Sequence, residues 1–140
     1  MNERRLKSIL VAAAAWNLLG GATSLLDPAA HFAQMYNGAL DLGDPLQRFF
    51  FTSVWIAVMA WGAAYLSAAF EPVARRPVLA AGAAGKIVYF GACVGLYLEG
   101  TAKPALLVAT AVGDLGIAIL FVLTLVYGTH LRSTLRPRAA

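Results

Sequence analysis

The chain has 140 residues, 60% of them hydrophobic and 13% charged, with a mean hydropathy of +0.70. A water-soluble domain carries roughly 25% charged residues, so the charge missing here is surface charge, and water on all sides is excluded as the solvent. The net charge of +4 does not indicate nucleic acid, because the basic residues flank apolar runs and build no basic face.

Four apolar runs follow in chain order, at about 8–26, 49–70, 78–98 and 105–127. The first two hold no charge, the third holds Lys86 and the fourth holds Asp114. About 20 apolar residues cross a hydrocarbon core of ~30 Å. The backbone must satisfy its own hydrogen bonds there, so each run is expected to be helical. The fold class expected is all-α: an integral membrane four-helix up-down bundle, a single transmembrane domain over 1–140.

The first run competes with a cleaved signal peptide, and retention is expected. It exceeds the usual core of ~7–15 residues. Asn17, Gly20 and Gly21 interrupt it, and Pro28-Ala29-Ala30 is a poor cleavage site. Arg4-Arg5 reads as an orientation signal rather than a twin-arginine export motif.

The loop after the first run contains its own helix signals. Asp27 is a cap, Pro28 suits a first turn, and Phe32, Met35, Tyr36 and Leu40 recur at near-helical spacing. Asn37-Gly38 is expected to end this short interfacial helix. It would serve as a tether at the outer interface or, the sharper role, as a lid over a cavity opening outward; the tether is the simpler expectation. Asp44-Pro45, Arg76-Pro77 and Lys103-Pro104 mark later helix starts, and Glu71-Pro72 an end.

Basic residues set the orientation. Arg4, Arg5, Lys7, Arg75, Arg76, Arg132, Arg136 and Arg138 fall on one side of the runs, and Arg48 and Lys103 on the other. The positive-inside rule makes the first side cytoplasmic, with both termini there, in a bacterial inner (plasma) membrane. His31 then lies outside and His130 inside, so the two cannot share a haem.

Depth brings three polar residues to one plane. At ~1.5 Å per residue, Lys86, Asp114 and Asn17 each lie about 15 Å from their span ends, near the middle of a ~30 Å core. Lys86 and Asp114 have opposite sign, on consecutive antiparallel helices. Each alone would cost roughly 2.5–3.5 kcal/mol at the bilayer centre. A Lys86–Asp114 contact inside the bundle is therefore expected, with the Asn17 amide beside it. Inward stripes follow: Gly82, Lys86, Tyr89 and Cys93; Thr110, Asp114, Ile117 and Phe121; Ala13, Asn17, Gly20 or Gly21, and Ser24. The second span offers a small face, Ser53, Ala57, Ala60, Ala64 and Ser67, to pack in the bundle or on another copy. Cys93 reads as a small buried hydrophobe. Gly91 and Gly95 make a GxxxG match of little specificity in so glycine-rich a chain.

The strings Trp16-Asn17-Leu18-Leu19-Gly20, Gly85-Lys86 and Gly113-Asp114-Leu115, followed by Phe121, resemble small bacterial four-helix membrane proteins, and the overall plan is similar to DoxX-like proteins. The resemblance implies architecture across most of the chain. It carries over no catalytic or ligand residue.

The candidate polar centre is Asn17, Lys86 and Asp114, with Tyr89 and Thr110 adjoining. It could be a packing lock, or a site for a small anionic or carbonyl-bearing ligand or an ion. An ion-paired carboxylate is a poor proton carrier. No catalytic set, cofactor motif or metal spacing is present; Asp27 and His31 are better explained as cap and loop residues. Trp16, Trp55, Trp61 and Tyr89 could line a quinone or lipid pocket, or simply face lipid and core. Two classes compete: a binding or transport protein with a central site, and a non-catalytic accessory subunit docked on a membrane partner or in a homo-oligomer through its second span. A cavity reaching Lys86 favours the first.

Overall fold

The computed structural model describes residues 3–38 and 40–134, those from 128 onward by backbone alone. Arg136 and Arg138 of the orientation signal lie outside the described residues, as do the side chains of His130 and Arg132. The described chain is helical throughout, without strands. Its elements are α1 (Glu3–Leu26), α2 (Pro28–Met35), α3 (Pro45–Phe70), α4 (Arg75–Leu98), α5 (Pro104–Thr110), a π turn (Ala111–Leu115) and α6 (Gly116–Thr134). Four helices are long and apolar enough to cross a membrane: α1, α3, α4 and the continuous Pro104–Tyr127.

Helix starts follow local chemistry. Asp44 caps α3 by accepting from Leu46 N at 2.7 Å and Gln47 N at 3.1 Å, ahead of Pro45. Asp27 caps α2 by accepting from Ala30 N at 3.0 Å, with Pro28 in the first turn. α4 begins at Arg75, two residues before Pro77, which still falls in the first turn where a missing N–H costs nothing. α2 ends at Met35 rather than at Asn37-Gly38, and Leu40 lies beyond it. The reason is tertiary. Asn37 N donates to Thr101 O at 2.8 Å and Lys103 N to Met35 O at 2.8 Å, so the chain leaves the helix to pair with the α4–α5 turn.

Packing divides the long helices into two pairs, α1 with α3 and α4 with α5–α6, and the pairs meet more loosely. A glycine allows the first pairing. A Cβ at Gly62 would lie 2.8 Å from Leu18 Cγ and 3.2 Å from Ala14 O. The pairs converge at the α3–α4 turn. There Leu10, Ala13, Ala14, Tyr65, Ala68, Ala69, Leu79, Ala83 and Phe121 form one buried cluster. Arg75 closes this end. Its guanidinium donates to both carboxylate oxygens of Glu3 at 2.8 and 2.7 Å, and to the final α3 carbonyls Ala68 O at 2.9 Å and Ala69 O at 3.1 Å. Arg75 is thus more than an orientation charge: it seals orphan carbonyls at a helix end.

The small face expected of the second span is not what this chain buries. α3 buries Gly62, Tyr65, Ala68 and Ala69, whereas Ala57, Ala60 and Ser67 are exposed and Ser53 and Ala64 half-buried. Close backbone approach at Gly62 sets the inward face, and it lies to one side of the Ser/Ala stripe. Among the described residues, a Cβ at Gly91 or Gly95 would meet nothing within 4 Å either.

Candidate functional site

The three polar residues meet. Lys86 Nζ lies 2.5 Å from Asp114 Oδ1 and donates to Asn17 Oδ1 at 3.1 Å. Asn17 in turn donates through Nδ2 to Val58 O at 3.2 Å, which fixes the amide orientation and ties the cluster to α3. The pair is nearly sealed, with side-chain exposures of 7% for Lys86 and 13% for Asp114. Two ions held this far from water need each other and further hydrogen bonds, and the Asn17 carbonyl supplies one.

Local structure delivers each group. Lys86 rides on α4 one turn past Gly82, where the absent side chain admits Tyr65: a Cβ would fall 2.6 Å from the Tyr65 hydroxyl. Asp114 sits in the π turn Ala111–Leu115, a local widening often found at functional sites. Trp16 lies against the neighbouring Gly113 so closely that a Cβ there would overlap the indole.

The cluster borders a cavity of about 510 Å³ that takes lining from every helical stretch except α6. α1 supplies Trp16, Asn17, Gly20 and Thr23; α3 supplies Val54, Trp55, Ala57, Val58, Trp61 and Tyr65; α4 supplies Ala81, Gly82, Gly85, Lys86 and Tyr89. Leu106, Ala109, Thr110 and Asp114 complete the wall, and His31, Gln34 and Met35 of α2 close one end. This volume is within the ~300–1,000 Å³ range of small-molecule sites. The four aromatic residues named as pocket candidates, Trp16, Trp55, Trp61 and Tyr89, all line it.

All five site residues read from the sequence border this space, with different standing. Asn17, Lys86 and Asp114 bond to one another. Thr110 is buried and spends its hydroxyl on Leu106 O at 2.8 Å, holding the helix beside the π turn. Tyr89 is 38% exposed at the rim. Tyr65 belongs to the site as well. It is buried, its ring lies 5.9 Å from Lys86 Nζ, and it packs edge-on against Phe121 at 5.2 Å. The sequence signal for it is a phenol within an apolar span, which needs a partner or a polar space.

α2 is fastened over its end of the cavity from both sides. His31 Nδ1 lies 3.1 Å from Ser24 Oγ, and the imidazole meets the Trp55 ring edge-on at 4.8 Å. Lys103 Nζ donates to Ala33 O, and Asn37 Nδ2 donates to Gly100 O at 2.8 Å. Gly100 has φ +75°, which lets Thr101 N and Ala102 N turn back to Leu96 O. Burial lowers the His31 pKa from its ordinary 6.5. The segment is tied down by these bonds and lines one end of the cavity. Asp27 is occupied as the α2 cap and His31 with Ser24 and Trp55.

No family model matches the chain, and no curated protein or solved structure does so either.

Proposed function

We propose that this chain is an up-and-down four-helix protein of a bacterial inner membrane, with both termini cytoplasmic, that binds a small ligand in its central cleft. The observation that carries the reading is the position of Lys86, Asp114 and Asn17 on the wall of a 510 Å³ cavity. A packing lock needs no cavity. A site does, and an ionisable pair at the middle of spanning helices is the expected anchor. The likeness to DoxX-like proteins enters as architecture alone. The accessory-subunit reading draws on Ala60 and Ser67, which the chain's own helices leave exposed; it does not account for the cavity.

Native mass spectrometry of the protein released from membranes tests the proposal. The wild type should carry a small-molecule adduct. The Lys86→Met/Asp114→Leu double variant should unfold close to the wild-type midpoint and lose the adduct. The same adduct on both proteins would overturn a site at this pair.

A further inference from the structure

The cleft opens sideways, at a depth where helices of spanning length meet hydrocarbon. Gly85 lies ten residues past Arg75 in α4, about 15 Å along the axis, and Ala57 twelve past Pro45 in α3, about 18 Å. Both line the cavity and both are exposed, as are Trp61, Ala81 and Tyr89 on the same two helices. On the opposite side, between α1 and the π turn, the Trp16 indole reaches across to Gly113, with its outer edge exposed. α2 roofs one end and the core cluster around Tyr65 and Phe121 fills the other.

The polar floor selects the head group. An ammonium has three N–H donors, and Lys86 spends two on Asp114 and Asn17. Asp114 Oδ2 and the Tyr65 hydroxyl have no hydrogen-bond partner among the described residues. Asp114 and Tyr65 both line the cavity. The unspent hydrogen-bonding capacity of Lys86, Asp114 and Tyr65 therefore borders a space walled largely by tryptophan and aliphatic carbon. The Lys86–Asp114 pair has no net charge, whether written as ammonium and carboxylate or as amine and acid. A charged head would enter this apolar space without a counterion, at high cost.

Building on the ligand-binding reading above, we infer that the ligand is a chain-bearing amphiphile taken from the bilayer between α3 and α4, with an uncharged head that both donates and accepts hydrogen bonds. The chain lies along the exposed rim, and the head meets Lys86, Asp114 and Tyr65.

Two measurements test this in membrane vesicles holding the full chain. In the first, three photoreactive probes share one long alkyl chain and carry a primary amide, a carboxylate or a quaternary ammonium. The amide should label peptides containing Trp61 and Gly85 several-fold more than the others, and Tyr65→Phe should weaken that labelling. Equal or stronger labelling by a charged probe would overturn the head-group assignment. In the second, a nitroxide is attached at Gly85→Cys in a Cys93→Ala background; a Cβ at Gly85 meets nothing within 4 Å. Collisions with dissolved oxygen should exceed those with an aqueous nickel chelate, and the reverse would overturn the lateral route. Absence of all labelling with the native-mass adduct still present would sink this inference and leave the ligand site standing. Loss of both would sink both.

Discussion

Lys86 and Asp114 were legible in the sequence for a simple reason. Each is the lone charge in an apolar run, the signs are opposite, and the rise per residue puts both at one depth. Asn17 follows from the same arithmetic. Tyr65 and Arg75 were not legible. A tyrosine in a span suits an interface or a core equally well until Gly82 is seen to make room for its hydroxyl. Arg75 looks like any cytoplasmic flank, and its partner Glu3 is 72 residues away. The pair makes a clean double-mutant cycle. Lys86→Met or Asp114→Leu alone strands a buried polar group, a loss of roughly 3–5 kcal/mol in a water-soluble interior and smaller in a bilayer. The double variant should regain most of it, read from unfolding in mixed micelles. Simple additivity would mean that the two side chains do not interact in the folded protein.

The elements were legible where local chemistry sets them, as at Asp27-Pro28 and Asp44-Pro45. They were hidden where tertiary contacts do. The end of α2 depends on pairing with the α4–α5 turn, and the π turn lies within the fourth apolar run, which reads as plain helix. α2 also has a pH signature. Burial holds the His31 imidazole below its ordinary 6.5, so the unfolded chain binds protons more readily than the folded one. The stability associated with neutral His31 is therefore fully present above about pH 6.5 and is lost as pH falls through the lower folded value. Between about pH 8 and 5 the wild-type unfolding midpoint should decline on the acid side, and His31→Gln should flatten that decline. An identical slope in the variant would assign the pH effect to other groups.

At the scale of the whole molecule, two helix pairs clamp together at the Arg75 end and part around the cavity toward α2. The four spanning lengths were legible from hydropathy alone, because few other segments sustain ~20 apolar residues. The pairing of α4 with the last span was legible through Lys86 and Asp114, whereas that of α1 with α3 was not, since it depends on where Gly62 and Gly21 let backbones approach, and glycine is abundant throughout. Orientation rests on the basic residues and can be measured. Reporter fusions after Gln34, Glu71 and Lys103 should read outside, inside and outside, and a cytoplasmic reading at Gln34 would invert the protein. The π turn has a consequence for how such a chain can change over time. It holds one residue more than the α-helical turn it replaces. Removing one residue from Ala111–Leu115 would therefore let an ordinary α-helical turn close there, with α6 kept in nearly the same rotation against α5. Ala118 and Phe121, both without exposed surface, would keep their place in the core, and the change would fall on Asp114 and its reach to Lys86. Substitutions along the exposed rim leave that geometry untouched. A chain shortened at the π turn should keep its fold and be altered at the Lys86–Asp114 pair, whereas the same deletion within regular helix would turn everything beyond it by about 100°.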